Sequence, residues 1–215
     1  MQDDMIIQHL DSPPQRPTEL VLLFHGVGSD AQSLRPLGEA LRGSLNHAWI
    51  VSVRSPETSE LGGWQWFSVQ GITEANRPTR VAAAMPRFVE TVHHWQREAG
   101  VDVAATTLIG FSQGAIMALE STQLHQPSAA RIVAIAGRFA QIPRVAPPQT
   151  RLHLMQGEQD RVMPVALAVD AAERLQRLGA NVTLDRFAGL GHGIDGRVAR
   201  RLIERLGEDG DGAVT

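Results

Sequence analysis

Short apolar runs alternate along this chain with segments whose apolar residues recur at three- and four-residue steps. Glu19–Phe24 reads ELVLLF, and Ala48–Val53, Thr106–Gly110, Arg131–Ala136, Arg151–Gln156 and Val182–Phe187 are runs of the same kind. They are too short for typical helices, so they predict strands. Several are apolar at nearly every position, the pattern of parallel strands covered on both faces. The periodic segments between them predict helices. Over Arg80–Glu98, residues Val81, Met85, Phe88, Val92 and Trp95 share one face, and Gly100 follows as a stop. Pro86, inside that run, either kinks the helix or marks a first turn. Further helices are expected over Gly114–Leu124, over Pro164–Leu178 with Gly179 closing it, and over about Gly196–Leu206. The polar, glycine-rich tail Gly207–Thr215 is expected to fray.

Strand and helix in this alternation predict an α/β fold with a mainly parallel sheet and helices on both faces. Its 215 residues fit one domain, expected over residues 1–206. Ligands of such sheets bind beyond the carboxyl ends of the strands, so the residues just after each strand are where chemistry is expected.

Composition narrows the classes. The net charge of -3 carries no basic excess for nucleic acid or an anionic membrane surface. The absence of cysteine excludes disulfides, thiolate nucleophiles and cysteine-based zinc sites. No apolar run approaches the roughly 18 residues of a membrane span. The acidic start Met1-Gln2-Asp3-Asp4 is unlike a signal peptide, so a cytoplasmic protein is expected. His93-His94 are helix neighbours that do not share a face and complete no ligand set, so no metal is expected.

One serine stands out. Gly110-Phe111-Ser112-Gln113-Gly114 joins a predicted strand to a predicted helix and matches G-x-S-x-G, the nucleophile elbow. The tight turn crowds the positions two before and two after the serine, so both suit glycine. The turn also sets Ser112 at a helix N-terminus, where free N–H groups favour developing negative charge.

A serine hydroxyl needs a base, and in this arrangement the acid and then the histidine follow it in the chain. His125 lies at the end of the elbow's helix and His153 within a strand. His192, in Gly189-Leu190-Gly191-His192-Gly193 after the strand ending at Phe187, is the expected base. Asp160, in the loop after Arg151–Gln156, is the expected acid, with Glu158 as its neighbouring rival. Asp170 is on a helix, Asp185 is mid-strand, and Asp195 follows the histidine. The acid would hold one tautomer of His192 and stabilise the imidazolium.

A tetrahedral oxyanion needs preset donors. The N–H of Gln113, next after the nucleophile, is one. The loop Phe24-His25-Gly26-Val27-Gly28-Ser29-Asp30 follows an early strand, and Val27 N–H is expected as the second. His25 is expected to brace this loop and Asp30 to cap the next helix.

Taken together, HGVGSD (25–30), GFSQGA (110–115), GEQDRVMP (157–164) and GLGHG (189–193) resemble the small serine carboxylesterases and acyl-protein thioesterases of the α/β-hydrolase fold. The Trp66-Phe67 pair after Gly62-Gly63-Trp64-Gln65 is similar to that family's tryptophan-phenylalanine loop. The resemblance implies an α/β-hydrolase fold with no large cap domain. It implies hydrolysis of esters or thioesters without metal or cofactor, through Ser112, Asp160 and His192, with Val27 and Gln113 as oxyanion donors. Ser68 stands where an aspartate commonly follows the pair, and Ala115 where a second glycine commonly follows the elbow.

Arg54–Thr79 shows no clear strand or helix period. A loop this long is usually functional or mobile. Trp64, Trp66 and Phe67 within it are expected either to line or cover the acyl site or to form a satellite hydrophobic cluster. With no cap insertion, the pocket should suit short or medium acyl chains, and the protein should be a monomer or homodimer. A dienelactone-hydrolase-like enzyme is one alternative, although that family uses a cysteine nucleophile and this chain has none. A non-catalytic ligand-binding protein on the same scaffold is the other.

Overall fold

The computed structural model describes residues 3–9 and 17–210. Among the described residues, nine strands and five α-helices follow one another as β1 (Met5–Gln8), β2 (Glu19–Phe24), α1 (Arg35–Arg42), β3 (Ala48–Val53), β4 (Glu57–Thr58), β5 (Trp64–Gln65), α2 (Arg77–Ala99), β6 (Thr106–Phe111), α3 (Gln113–Ser121), β7 (Arg131–Ile135), β8 (Arg151–Gly157), α4 (Val165–Arg177), β9 (Asn181–Phe187) and α5 (Gly196–Gly210). Seven strands form one sheet in the order β1-β3-β2-β6-β7-β8-β9. Every pairing in it is parallel except that of β1 with β3.

The alternation of side chains along each strand splits the core in two. Leu20, Leu22 and Phe24 face α2, α3 and α4, in one cluster with Phe88, Ile116 and Leu175. Val21 and Leu23 face α1 and α5, in a second cluster with Leu37, Leu41, Val198 and Leu202. All six predicted strands are present with ends within about one residue. The edge strand β1 is new: its four residues are too short and too exposed to carry a period.

The long helix begins three residues earlier than its period suggests, at Arg77, and ends at Gly100, whose φ of 69° suits glycine. Pro86 lies inside it on the exposed side, beside the equally exposed Ala82 whose carbonyl loses its helical partner. Of the tail expected to fray, residues 207–210 continue α5, and 211–215 lie outside the described residues. Among the described residues no helix is long and apolar enough to cross a membrane.

Arg54–Thr79 is more ordered than its lack of period suggests. β4 and β5 pair as a small antiparallel hairpin, and Trp64 bonds back to the loop after β2 through Gly28 N to Trp64 O (2.9 Å) and Trp64 N to Ser29 O (2.8 Å). Arg80 donates to the carbonyls of Ser68 and Gln70, each at 2.7 Å, and the Ser68 hydroxyl bonds the Glu60 carboxylate.

Candidate active site

The elbow forms where β6 runs into α3. Ser112 sits at φ 53° and ψ −113°, a strained conformation for a residue with a side chain. Its N–H donates to Ile135 O at 3.0 Å, and Ile116 N donates to its carbonyl at 3.1 Å. Both flanking glycines are required by contact. A Cβ on Gly110 would lie 2.4 Å from Ala115 N, and one on Gly114 2.1 Å from Phe24 O. The turn can therefore be this sharp, and α3 this close to β2, only without those carbons.

Three side chains far apart in sequence meet at the carboxyl ends of β6, β8 and β9. His192 Nε2 lies 2.9 Å from Ser112 Oγ, and His192 Nδ1 lies 2.7 Å from Asp160 Oδ2. The loop bearing His192 lies against the end of β8, because Gly157 leaves room for the carbonyls of Leu190 and Gly191. Gln159 N donates to Leu190 O at 2.9 Å and ties the two loops. The Phe111 ring packs against the imidazole with centroids 5.1 Å apart.

Asp160 is buried and fully employed. Oδ1 accepts from the N–H groups of Val162 and Met163, each at 2.8 Å. Oδ2 accepts from His192 and from Gln156 Nε2 at 2.9 Å. Burial pushes the carboxyl pKa up, but the donors Met163 N–H, His192 and Val162 N–H outweigh it and hold it below the ordinary value. The group is thus an anion that can only accept. Nδ1 of His192 must carry the hydrogen, and Nε2 is left with a lone pair facing the serine hydroxyl.

The other carboxylates near these loops have different work. Glu158 is exposed and pairs with Arg186 at 2.8 Å. Asp185 pairs with Arg201 and Arg205, and Asp195 accepts from Arg197 N and Val198 N at the start of α5. Asp170 is exposed on α4. His153 is buried on β8 with Nδ1 2.8 Å from Thr183 Oγ1, and His125 is exposed. His93 is exposed and His94 half-buried on α2, and among the described residues no group of three or more His, Cys, Asp or Glu could hold a metal ion.

The loop after β2 closes over the elbow. A Cβ on Gly26 would stand 3.2 Å from Ser112 Cβ, so this backbone passes directly beside the serine. His25 braces it: the ring Nε2 accepts from Ser55 N–H at 3.1 Å, which leaves Nδ1 to donate to Gly26 O at 2.7 Å. Burial lowers the pKa of this imidazole and keeps it neutral. Among the described residues, neither Val27 N–H nor Gln113 N–H has a hydrogen-bond acceptor in the protein. Gln113 is the first residue of α3, where the helix offers no acceptor. Asp30 accepts from Gln32 N at the start of the short helical turn Ala31–Leu34, the capping role expected of it.

A cavity of about 450 Å³ opens above Ser112 and His192. Val27, Leu34, Phe111, Val162 and Ile194 supply its apolar wall, and Ser29 and Ser33 its hydroxyls. Trp64, Trp66 and Phe67 are not part of it. Trp66 and Phe67 are core residues, 1% and 4% exposed, and Trp66 packs edge-on against Phe24 and Phe88. The pair belongs to the main core cluster on the α2 and α3 side of the sheet, not to a satellite cluster. Trp64 is half-buried beneath the Arg54 guanidinium, 3.6 Å from its ring centroid. The reason is the Gln113 side chain, which reaches from the elbow to accept from Trp66 N at 2.7 Å and donate to Phe67 O at 2.8 Å. It draws this segment inward under the elbow.

Gln156, Leu34 and Ile194 are site residues that the sequence did not single out. Gln156 carried a signal, as the lone side-chain amide of its strand, next to its carboxyl end. The other two look like any core residue until the cavity is seen.

Comparison with known proteins shows the family. Residues 6–207 match the Phospholipase/Carboxylesterase family. The chain is 45% identical over 205 residues to esterase YpfH of Escherichia coli (strain K12), covering 95% of this chain and 87% of the relative. Among solved structures, esterase PE8 superposes with a TM-score of 0.81 at 28% identity, covering 93% of this chain and 96% of its own. A Bacillus cereus carboxylesterase has the same fold, with a TM-score of 0.79 at 19% identity over 95% of this chain and 93% of its own. The sheet order, the elbow and these relatives together make the chain a member of the phospholipase/carboxylesterase family of α/β-hydrolases, an esterase.

Proposed function

We propose that the chain hydrolyses short- to medium-chain carboxylic esters or thioesters through an acyl-enzyme on Ser112, with His192 as base and Asp160 as its orienting anion. The observation that carries this reading is the unbroken relay from Ser112 Oγ through the two nitrogens of His192 to Asp160, at 2.9 and 2.7 Å.

In the first step Nε2 of His192 takes the hydroxyl proton as Oγ attacks the carbonyl carbon. The charge that develops on the carbonyl oxygen is met by Val27 N–H and Gln113 N–H at the start of α3. The new imidazolium is held by Asp160, which stays ionised, and gives its proton to the departing alcohol or thiol. In the second step a water loses its proton to the same nitrogen and attacks the acyl carbon; the carbon–Oγ bond then breaks as the imidazolium returns the proton to Ser112 Oγ, and the carboxylic acid is freed. No step calls on a metal or cofactor.

A fluorophosphonate probe tests the reading directly. Labelling of the folded protein at Ser112, lost in Ser112→Ala, is the expected result. An unlabelled folded protein would support a binding role on a hydrolase scaffold instead. Matched acyl esters and acyl thioesters, compared by kcat/KM, separate the two substrate classes.

A further inference from the structure

The cavity over Ser112 does not end at the serine. A second cavity of about 330 Å³ shares Ser33, Leu34 and Ile194 with it and continues past Pro36 and Leu37 to Ala199, between α1 and α5. The two cavities adjoin across these three residues, the lining of this combined groove is mainly aliphatic, and among the described residues no lysine or arginine belongs to it. The carboxylate among its lining residues is Asp195, held as an anion chiefly by the side chain of Arg197.

The geometry points to this groove as the site of the leaving alcohol, and to esters of uncharged, apolar alcohols as the substrates. The inference rests on the proposed roles of Ser112 and His192. As the Oγ–carbon bond forms and the carbon–oxygen bond to the alcohol breaks, the proton taken from Oγ must pass from His192 Nε2 to the departing oxygen. That oxygen must therefore face the imidazole. Ile194 lies two residues beyond His192 on the same loop and flanks the groove where it leaves the serine. An alcohol chain that starts at the imidazole thus continues along Leu34 and Ile194 toward Ala199. An anionic leaving group would find no cation lining the groove, because among the described residues Asp195 is its one charged lining residue and is paired with Arg197.

The test uses two ester series. Ethyl, butyl and hexyl acetate lengthen only the alcohol, whereas ethyl acetate, butyrate and hexanoate lengthen only the acyl chain. In the wild type, kcat/KM should rise about 2–4-fold per methylene along the alcohol series, as each is buried in the groove. Ala199→Phe fills the far end. It should cut the hexyl-to-ethyl acetate ratio about tenfold or more and leave the acyl series unchanged. Ala199 is half-buried on α5, so Gly196→Phe is the companion variant. Gly196 also lines the groove and is exposed, and a Cβ added to it would meet no atom within 4 Å. It should shift the same ratio in the same direction. Variants that alter the acyl series instead, that lower every ester equally, or that change nothing would overturn the assignment. Failure of the Ser112 reading has a separate signature: Ser112→Ala would still hydrolyse ethyl acetate at the wild-type rate.

Discussion

Gln156 donates its side-chain amide to Asp160 Oδ2 at 2.9 Å, on the same oxygen that accepts from His192. The amide also donates to Met163 O at 2.7 Å, so it joins the acid to the end of the loop that carries it. Its position follows from β8, where it continues the face of Leu152 and Leu154. Gln156→Met keeps the bulk and removes one of the donors to the carboxylate. We expect kcat to fall about tenfold, the scale of one hydrogen bond to a charged group, with KM nearly unchanged. Steady-state kinetics on one short ester, with a melting curve as control, check it. A purely structural role would lower the melting temperature and leave kcat alone.

The elbow glycines give a prediction with an internal control. Gly114→Ala would drive a carbon to 2.1 Å from Phe24 O, and neither β2 nor α3 can retreat without opening the core. The cost should be about 3 kcal/mol or more. Gly193→Ala, in the loop beside the histidine, has no atom within 4 Å of its added carbon and should unfold with nearly wild-type stability. Urea unfolding of the two variants decides whether contact, rather than glycine flexibility as such, sets the requirement.

Trp66→Ala should act on stability before it acts on specificity. The indole is 1% exposed and packs on Phe24 and Phe88, so its removal should cost about 3–5 kcal/mol. The melting temperature should drop by more than about 6 °C. The preference between short and longer esters should stay as it was, because the indole lies outside the cavity over Ser112. A changed preference at unchanged stability would restore the aromatic pair to the substrate site.

Acid sensitivity should track Asp185. Burial raises its pKa, but the Arg205 and Arg201 guanidiniums outweigh that and hold it below the ordinary 3.8. A carboxyl depressed in the folded state contributes stability that is fully present above its unfolded pKa and is lost as the pH falls through the folded one. Asp185→Asn should therefore melt several degrees lower at pH 7. The gap between variant and wild type should close as the pH drops below about 4. Melting curves from neutral to acid pH test the sign, and a gap that widened toward acid would refute it.

Much of the fold could be read along the chain because a buried parallel strand leaves a short apolar run and a surface helix leaves a period. β2, β3, β6 and β7 carry the first signature most plainly, and α2 carries the second. β1, β4 and β5 carry neither. They are two to four residues long, and their partners rather than their own residues make them strands. The aromatic loop shows the same limit. A tryptophan that lines a site and one that fills a core look the same along the chain, and contacts with distant residues, Phe24, Phe88 and the Gln113 amide, distinguish them.

The class of sheet and the elbow with its two glycines were legible along the chain. Each is set by local sterics or strand period, which neighbouring residues express directly. Three features were not: which oxygen of Asp160 meets the imidazole, that Gln156 shares it, and that a second cavity between α1 and α5 adjoins the one over Ser112. Those depend on where separate strands end relative to one another, and that is settled by the packing of the two core layers, not by any one segment.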